Sequence, residues 1–266
     1  MCAGGGRTPR AFTNPTRQRI VNSQARPLQQ QYWLAPHVRA CATIDGAVLL
    51  DMKRNRYQGV SLADAQALHA VVLDWPAPLE ALEGDASGSP PPATVGLAPM
   101  LDAQLLVTTP PIHPAPSPDF VPAKTSVGEE LEGHASPNKL NAARVLRAYA
   151  WAVKQSQNAS FWEISHSIRE MRVATPRRND LANDIALADR VMTFRAFRPT
   201  TFVAKDRCLV HALALVRYLA HYDLFPSWLI GVRTRPWGAH SWVQKSELVL
   251  DSTPEKVTDF TPILIV

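Results

Sequence analysis

The sequence predicts an α+β protein, with a small winged-helix-like arrangement followed by a larger domain of helices packed on an antiparallel sheet. Three observations carry this. Residues 37–44 alternate as a strand would, and an Asp45-Gly46 hairpin signal joins them to a second strand over 47–52. Four later segments place apolar residues at helical spacing, about one every three to four positions. The last of these runs straight into a strand-turn-strand pattern, residues 227–250.

Taken in order, residues 1–31 are polar, rich in Arg and Gln and without period, so they read as a disordered tail. Residues 37–44, 47–52 and 57–60 read as three strands. Ser61 then caps a helix over 61–75, with Asp64 three residues on, close to a capping box. Residues 95–107 read as a further helix kinked near Pro99. Residues 32–108 thus make a first domain. Residues 109–136 carry six prolines between Pro110 and Pro122, a composition that stiffens a chain and builds no core, so they read as a linker. Residues 137–266 make the second domain: helices from 140, from 160 and over 181–197, a fourth from Cys208, then strands over 227–233, from His240 and over 247–250.

The composition limits function. Of 266 residues, 46% are hydrophobic, enough for a real core, yet no apolar run is long enough to span a bilayer. The basic N-terminus lacks the apolar segment of a secretory signal. A net charge of +5 is mild, and without a basic cluster interleaved with aromatics it does not point to nucleic acid. Three cysteines (Cys2, Cys41 and Cys208) without close pairs argue against a disulfide framework and for a reducing, cytoplasmic setting.

The chemistry concentrates in residues 206–251. Asp206 reads as the N-cap of an apolar helix and leaves Cys208 in its first turn. The positive helix end and the free N–H groups there favour a thiolate and can hold an oxyanion. Cys208 alone reads more readily as a structural cysteine. His240, read as opening a strand, and Asp251, read as ending its antiparallel neighbour, complete the pattern. The aspartate would hold one imidazole nitrogen while the other takes the thiol proton. His211, one helical turn from Cys208, makes half a zinc pattern, but no second Cys/His pair completes it, so no metal is expected.

The run CLVHALAL from Cys208, then Ile230-Gly231-Val232, Ala239-His240, Trp242-Val243, Asp251 and a closing Pro262-Ile263-Leu264 resembles the lasso peptide leader peptidases, or B proteins. Those are similar to transglutaminases and papain-like cysteine proteases. The hairpin before Asp251 lacks the family's common turn glycine, and His211 replaces its usual basic helix residue. Residues 49–61, LLDMKRNRYQGVS, resemble the precursor-peptide recognition domain of ribosomally made, modified peptide pathways, which some of these peptidases carry fused. The resemblance implies a cysteine peptidase that removes the leader of a lasso precursor peptide. Cys208, His240 and Asp251 would be its triad, and the leader would dock on the third strand around Arg56, Tyr57 and Gln58. It implies a separate asparagine-synthetase-like cyclase as partner and ATP in the coupled system, although the chain carries no phosphate-binding motif. Two alternatives stay open: acyl transfer to an amine, and a leader-binding scaffold without catalysis.

Overall fold

The Asp45-Gly46 turn is where the fold is most tightly specified. Gly46 has φ +130°, and a Cβ there would lie 2.2 Å from the Val60 carbonyl oxygen, so only glycine fits. The turn joins β2 (Val38–Thr43) to β3 (Gly46–Asp51), and β4 (Arg56–Ser61) pairs on the far side of β3, giving an antiparallel sheet of order β2-β3-β4. The computed structural model describes residues 31–77, 97–111, 120–128, 133–173, 180–197 and 207–266; the expected tail lies almost wholly outside them.

Every residue of β3 is buried. Ala47 and Leu49 face one core, with Leu68 of α1 (Leu62–His69), Trp75 and Met100. Val48 and Leu50 face the other, a large core shared with the C-terminal helices and strands. Ser61 caps α1 as expected: its hydroxyl accepts the Asp64 N–H at 3.3 Å and donates to the Asp64 carboxylate at 2.7 Å. The helix nevertheless stops at His69, well short of the expected 75. The kinked helix over 95–107 is replaced by a short α2 (Leu97–Asp102) and a strand, β5 (Leu106–Val107), which pairs with β1 (Trp33–Leu34). Leu105 and Leu106 gain burial this way, and Gln104, with φ +59°, ends the helical run.

Part of the segment expected to be linker joins the second sheet. Thr125–Ser126 form β6, parallel to β9 (Leu248–Val249), and Val127 enters the large core. A two-residue strand leaves no periodic signature, and the prolines before it mask the rest. The other sheet strands are β7 (Ser227–Thr234), β8 (Trp237–Lys245) and β10 (Thr261–Ile265), in the order β10-β7-β8-β9-β6.

The helices α3 (Lys139–Asn158), α4 (Phe161–Val173), α5 (Asp180–Ala196) and α6 (Cys208–Ala220) follow the apolar spacing. Buried residues from α3, α4, α5 and α6 meet Trp228, Ile230, Val232 and Val243 in the large core. The β3–β4 turn is pinned to the head of α4. Asn55 Oδ1 accepts the Phe161 N–H at 2.7 Å, and the Met52 carbonyl accepts the Trp162 N–H at 3.1 Å. These bonds satisfy N-terminal helix donors and fix the β3–β4 turn to α4. No helix among the described residues is long and apolar enough to cross a membrane.

Candidate active site at the head of helix α6

Cys208 is the first residue of α6 and is partly exposed. Asp206 lies outside the described residues; the cap position falls to Arg207, which makes no side-chain capping bond. The first helical bond runs from the His211 N–H to the Arg207 carbonyl at 3.0 Å, so the N–H groups of the first turn have no acceptor within the helix. They remain free to hold negative charge beside the sulfur.

An aromatic cluster begins on the first sheet. Tyr57, on β4, meets Trp237 edge-to-face at 5.7 Å and Phe161 at 6.5 Å, and Phe161 in turn leans on Trp228. Burial, then the nearby Cys208 sulfur, push the Tyr57 phenol above its ordinary range. Of the three expected peptide-docking residues, Tyr57 therefore stands within electrostatic reach of the thiol. Arg56 and Gln58 alternate to the opposite face of β4 and are exposed.

His240 does not open its strand. The turn at Arg235 and Pro236 is tight, β8 starts at Trp237, and His240 is its fourth residue. Position decides orientation here. Trp237, Ser241 and Val243 share the face of Trp228, Ile230 and Val232, on which α6 packs, and Ser241 Oγ accepts the Trp228 indole N–H at 2.8 Å. His240 and Trp242 project from the other face, toward Phe260 and the smaller core of Leu229, Val249 and Val257. The His240 ring stacks on Trp242 at 5.9 Å and lies 5.3 Å from Phe260. Its Nε2 is buried without a hydrogen-bond partner.

Asp251 does not hold the imidazole. Leu250 donates its N–H to the Val243 carbonyl, and Asp251 Oδ1 accepts the Val243 N–H at 2.9 Å. Continuing that register sets Asp251 beside Trp242 and offset from His240. The expected chain of hydrogen bonds from Asp251 through His240 to Cys208 is thus not formed in this structure. His211 is engaged elsewhere: its Nδ1 lies 2.8 Å from the Tyr149 hydroxyl. Among the described residues no group of three His, Cys, Asp or Glu side chains is placed to hold a metal ion.

Asp251 and His240 pull stability in opposite directions. Burial raises the Asp251 carboxyl from 3.8 to about 7, against the Val243 N–H, its own N–H, Arg195 and Lys256. Between those values the folded state holds a proton that the unfolded chain has released, so the fold weakens as pH rises through that window. Burial, then Lys256, lower His240 from 6.5 to about 4, so over nearly the same window the fold strengthens as pH rises. Asp251→Asn keeps the acceptor for Val243 and removes the first effect alone. Its thermal midpoint, followed across that window, should climb with pH more steeply than that of the wild type. Parallel curves for the two proteins would mean that Asp251 titrates as an ordinary carboxylate.

Residues 140–265, just under half of the chain, match the family model described as Transglutaminase-like superfamily. The superfamily includes cysteine peptidases. No curated protein matches the chain, and no solved structure matches it.

Proposed function

We propose that the chain is a cysteine peptidase that binds a lasso precursor peptide and removes its leader. The observation that carries the reading is that an edge strand and the head of α6 border one core. Among the described residues β4 is the edge of its sheet, paired with β3, and its Tyr57 packs against the same large core as Leu209 and Val210 in the first turn of α6. A leader added as a strand along β4 would bind through backbone hydrogen bonds and bring the following core segment to the thiol. The match of residues 140–265 to a superfamily with cysteine peptidases supports the same reading.

In this mechanism His240 takes the Cys208 thiol proton as the sulfur attacks the carbonyl at the leader–core junction, and first-turn N–H groups hold the oxyanion. The amine of the core leaves with a proton delivered by His240, and water then resolves the thioester to a free leader carboxylate. Because His240 packs on Trp242 and Phe260 on the sheet face away from α6, this step requires its ring to leave that face and reach the thiol when substrate binds. Its buried, unpartnered Nε2 is a group whose hydrogen-bonding capacity is unmet in the unliganded fold. Asp251 orients it in that state. Hydrolysis needs no cofactor; ring closure and its ATP belong to a separate asparagine-synthetase-like cyclase.

A second reading, a leader-binding scaffold without catalysis, draws on the placement of His240 on the sheet face away from α6. One experiment separates these readings from each other and from acyl transfer. The purified chain is incubated with its precursor peptide and the products are weighed by mass spectrometry. Peptidase action gives a leader with a free carboxyl, and acyl transfer gives a leader amide with an added amine. Binding with no new product would establish the scaffold.

A further inference from the structure

The tip of the β7–β8 hairpin leans over the first sheet and borders an open groove of about 470 Å³. Its lining includes Val48, Tyr57 and Gly59 from the sheet, Thr43 from the end of β2, and Thr234 and Trp237 from the hairpin. We infer that this groove is a specificity subsite that takes one bulky apolar side chain, aromatic or large aliphatic, from an extended substrate peptide. The inference rests on the peptide-processing reading above and adds what that peptide must carry.

The first argument is register. Tyr57 pairs with Leu50 and Gly59 with Val48, so both project from the face that looks toward the hairpin. A Cβ built at Gly59 would meet nothing within 4 Å. The strand thus omits a side chain where space exists for one. A peptide strand added along the free edge of β4 places the side chain opposite Gly59 on that same face. That side chain enters the groove.

The second argument is chemistry. The walls are the rings of Tyr57 and Trp237, and Trp237 is 55% exposed, unusual for so large an apolar group. The charge at the rim is already matched, since Asp45 pairs with Arg235 across the two hairpin turns. A charged side chain would enter without a counter-ion, whereas an apolar one would cover both rings. Thr43 Oγ1 is buried without a partner beside this space, so a peptide amide reaching the inner end would meet a hydrogen-bonding capacity that the fold leaves unmet. A volume of this size suits a large side chain with its flanking backbone.

The test uses the full chain with Cys208→Ala, so that no chemistry intervenes. The probes are blocked glycine pentapeptides with Phe, Leu, Asp or Lys at the centre, and binding is followed by tryptophan fluorescence and by NMR. The Phe and Leu peptides should bind at least about tenfold tighter than the charged ones, the usual discrimination of an apolar pocket. Gly59→Phe should erase the difference by filling the groove while leaving the thermal midpoint intact, because its side chain enters open space. Trp237→Ala should erase it by removing a wall. Equal affinities for all four peptides, no measurable binding of any, or a preference that survives Gly59→Phe each overturn the inference. A failed peptidase reading shows instead in the cleavage assay, where wild-type protein would bind precursor and release nothing.

Discussion

Cys208→Ala should lower leader removal by at least about 10³-fold, the scale of loss when a nucleophile is deleted and only binding and oxyanion contacts remain. The fold should survive, since Cys208 is partly exposed at a helix start and the change removes one atom. Cys208→Ser should be nearly as inactive, because a hydroxyl is a far weaker acid than a thiol. Alkylation with iodoacetamide gives an independent view. Cys41 is 5% exposed, and its thiol is pushed up to about 12, chiefly by burial, so it should stay unlabelled. Labelled peptides identified by mass should include the one carrying Cys208. Cleavage at the wild-type rate by Cys208→Ala would end the thiol mechanism.

His240→Ala should fall as far as the cysteine variant, and the double variant no further, because groups acting in one proton transfer are not additive. The pH profile of Cys208 alkylation should also move in His240→Ala, which a purely structural histidine would not cause. This prediction carries more risk than the first. The structure seats His240 against Trp242 and Phe260, on the face away from α6. If His240→Ala retains more than about a tenth of the activity, the histidine serves the smaller core and the proton acceptor lies elsewhere.

The difference between these two predictions shows what the sequence could and could not reveal. Cys208 at a helix start was legible, because the apolar stripe after it fixes where the helix begins. The first hairpin and the cap at Ser61 were legible because alternation over 37–44, an Asp-Gly turn and a serine three before an acid are local signals. The face of His240 was not. In β7, Trp228, Leu229, Ile230 and Val232 are all buried, so the strand has no polar side to show which residues meet the helix. With that phase silent, a strand start misplaced by a few residues leaves the orientation open. The partner of Asp251 was equally hidden, since a carboxylate that accepts a backbone N–H from Val243 leaves no mark in side-chain pattern. β6 escaped notice because two residues cannot display a period.

One strand sets a condition on modular exchange. β3 presents Val48 and Leu50 to one core and Ala47 and Leu49 to the other, so it is a wall common to both. Residues 31–266 accordingly form one compact unit. A segment transplanted from another chain would have to reproduce both faces of that wall, not only the edge proposed to read a peptide. On the proposed function, retargeting the protein to a new precursor would therefore mean rewriting β4 and the hairpin tip in place, with β3 left as it stands.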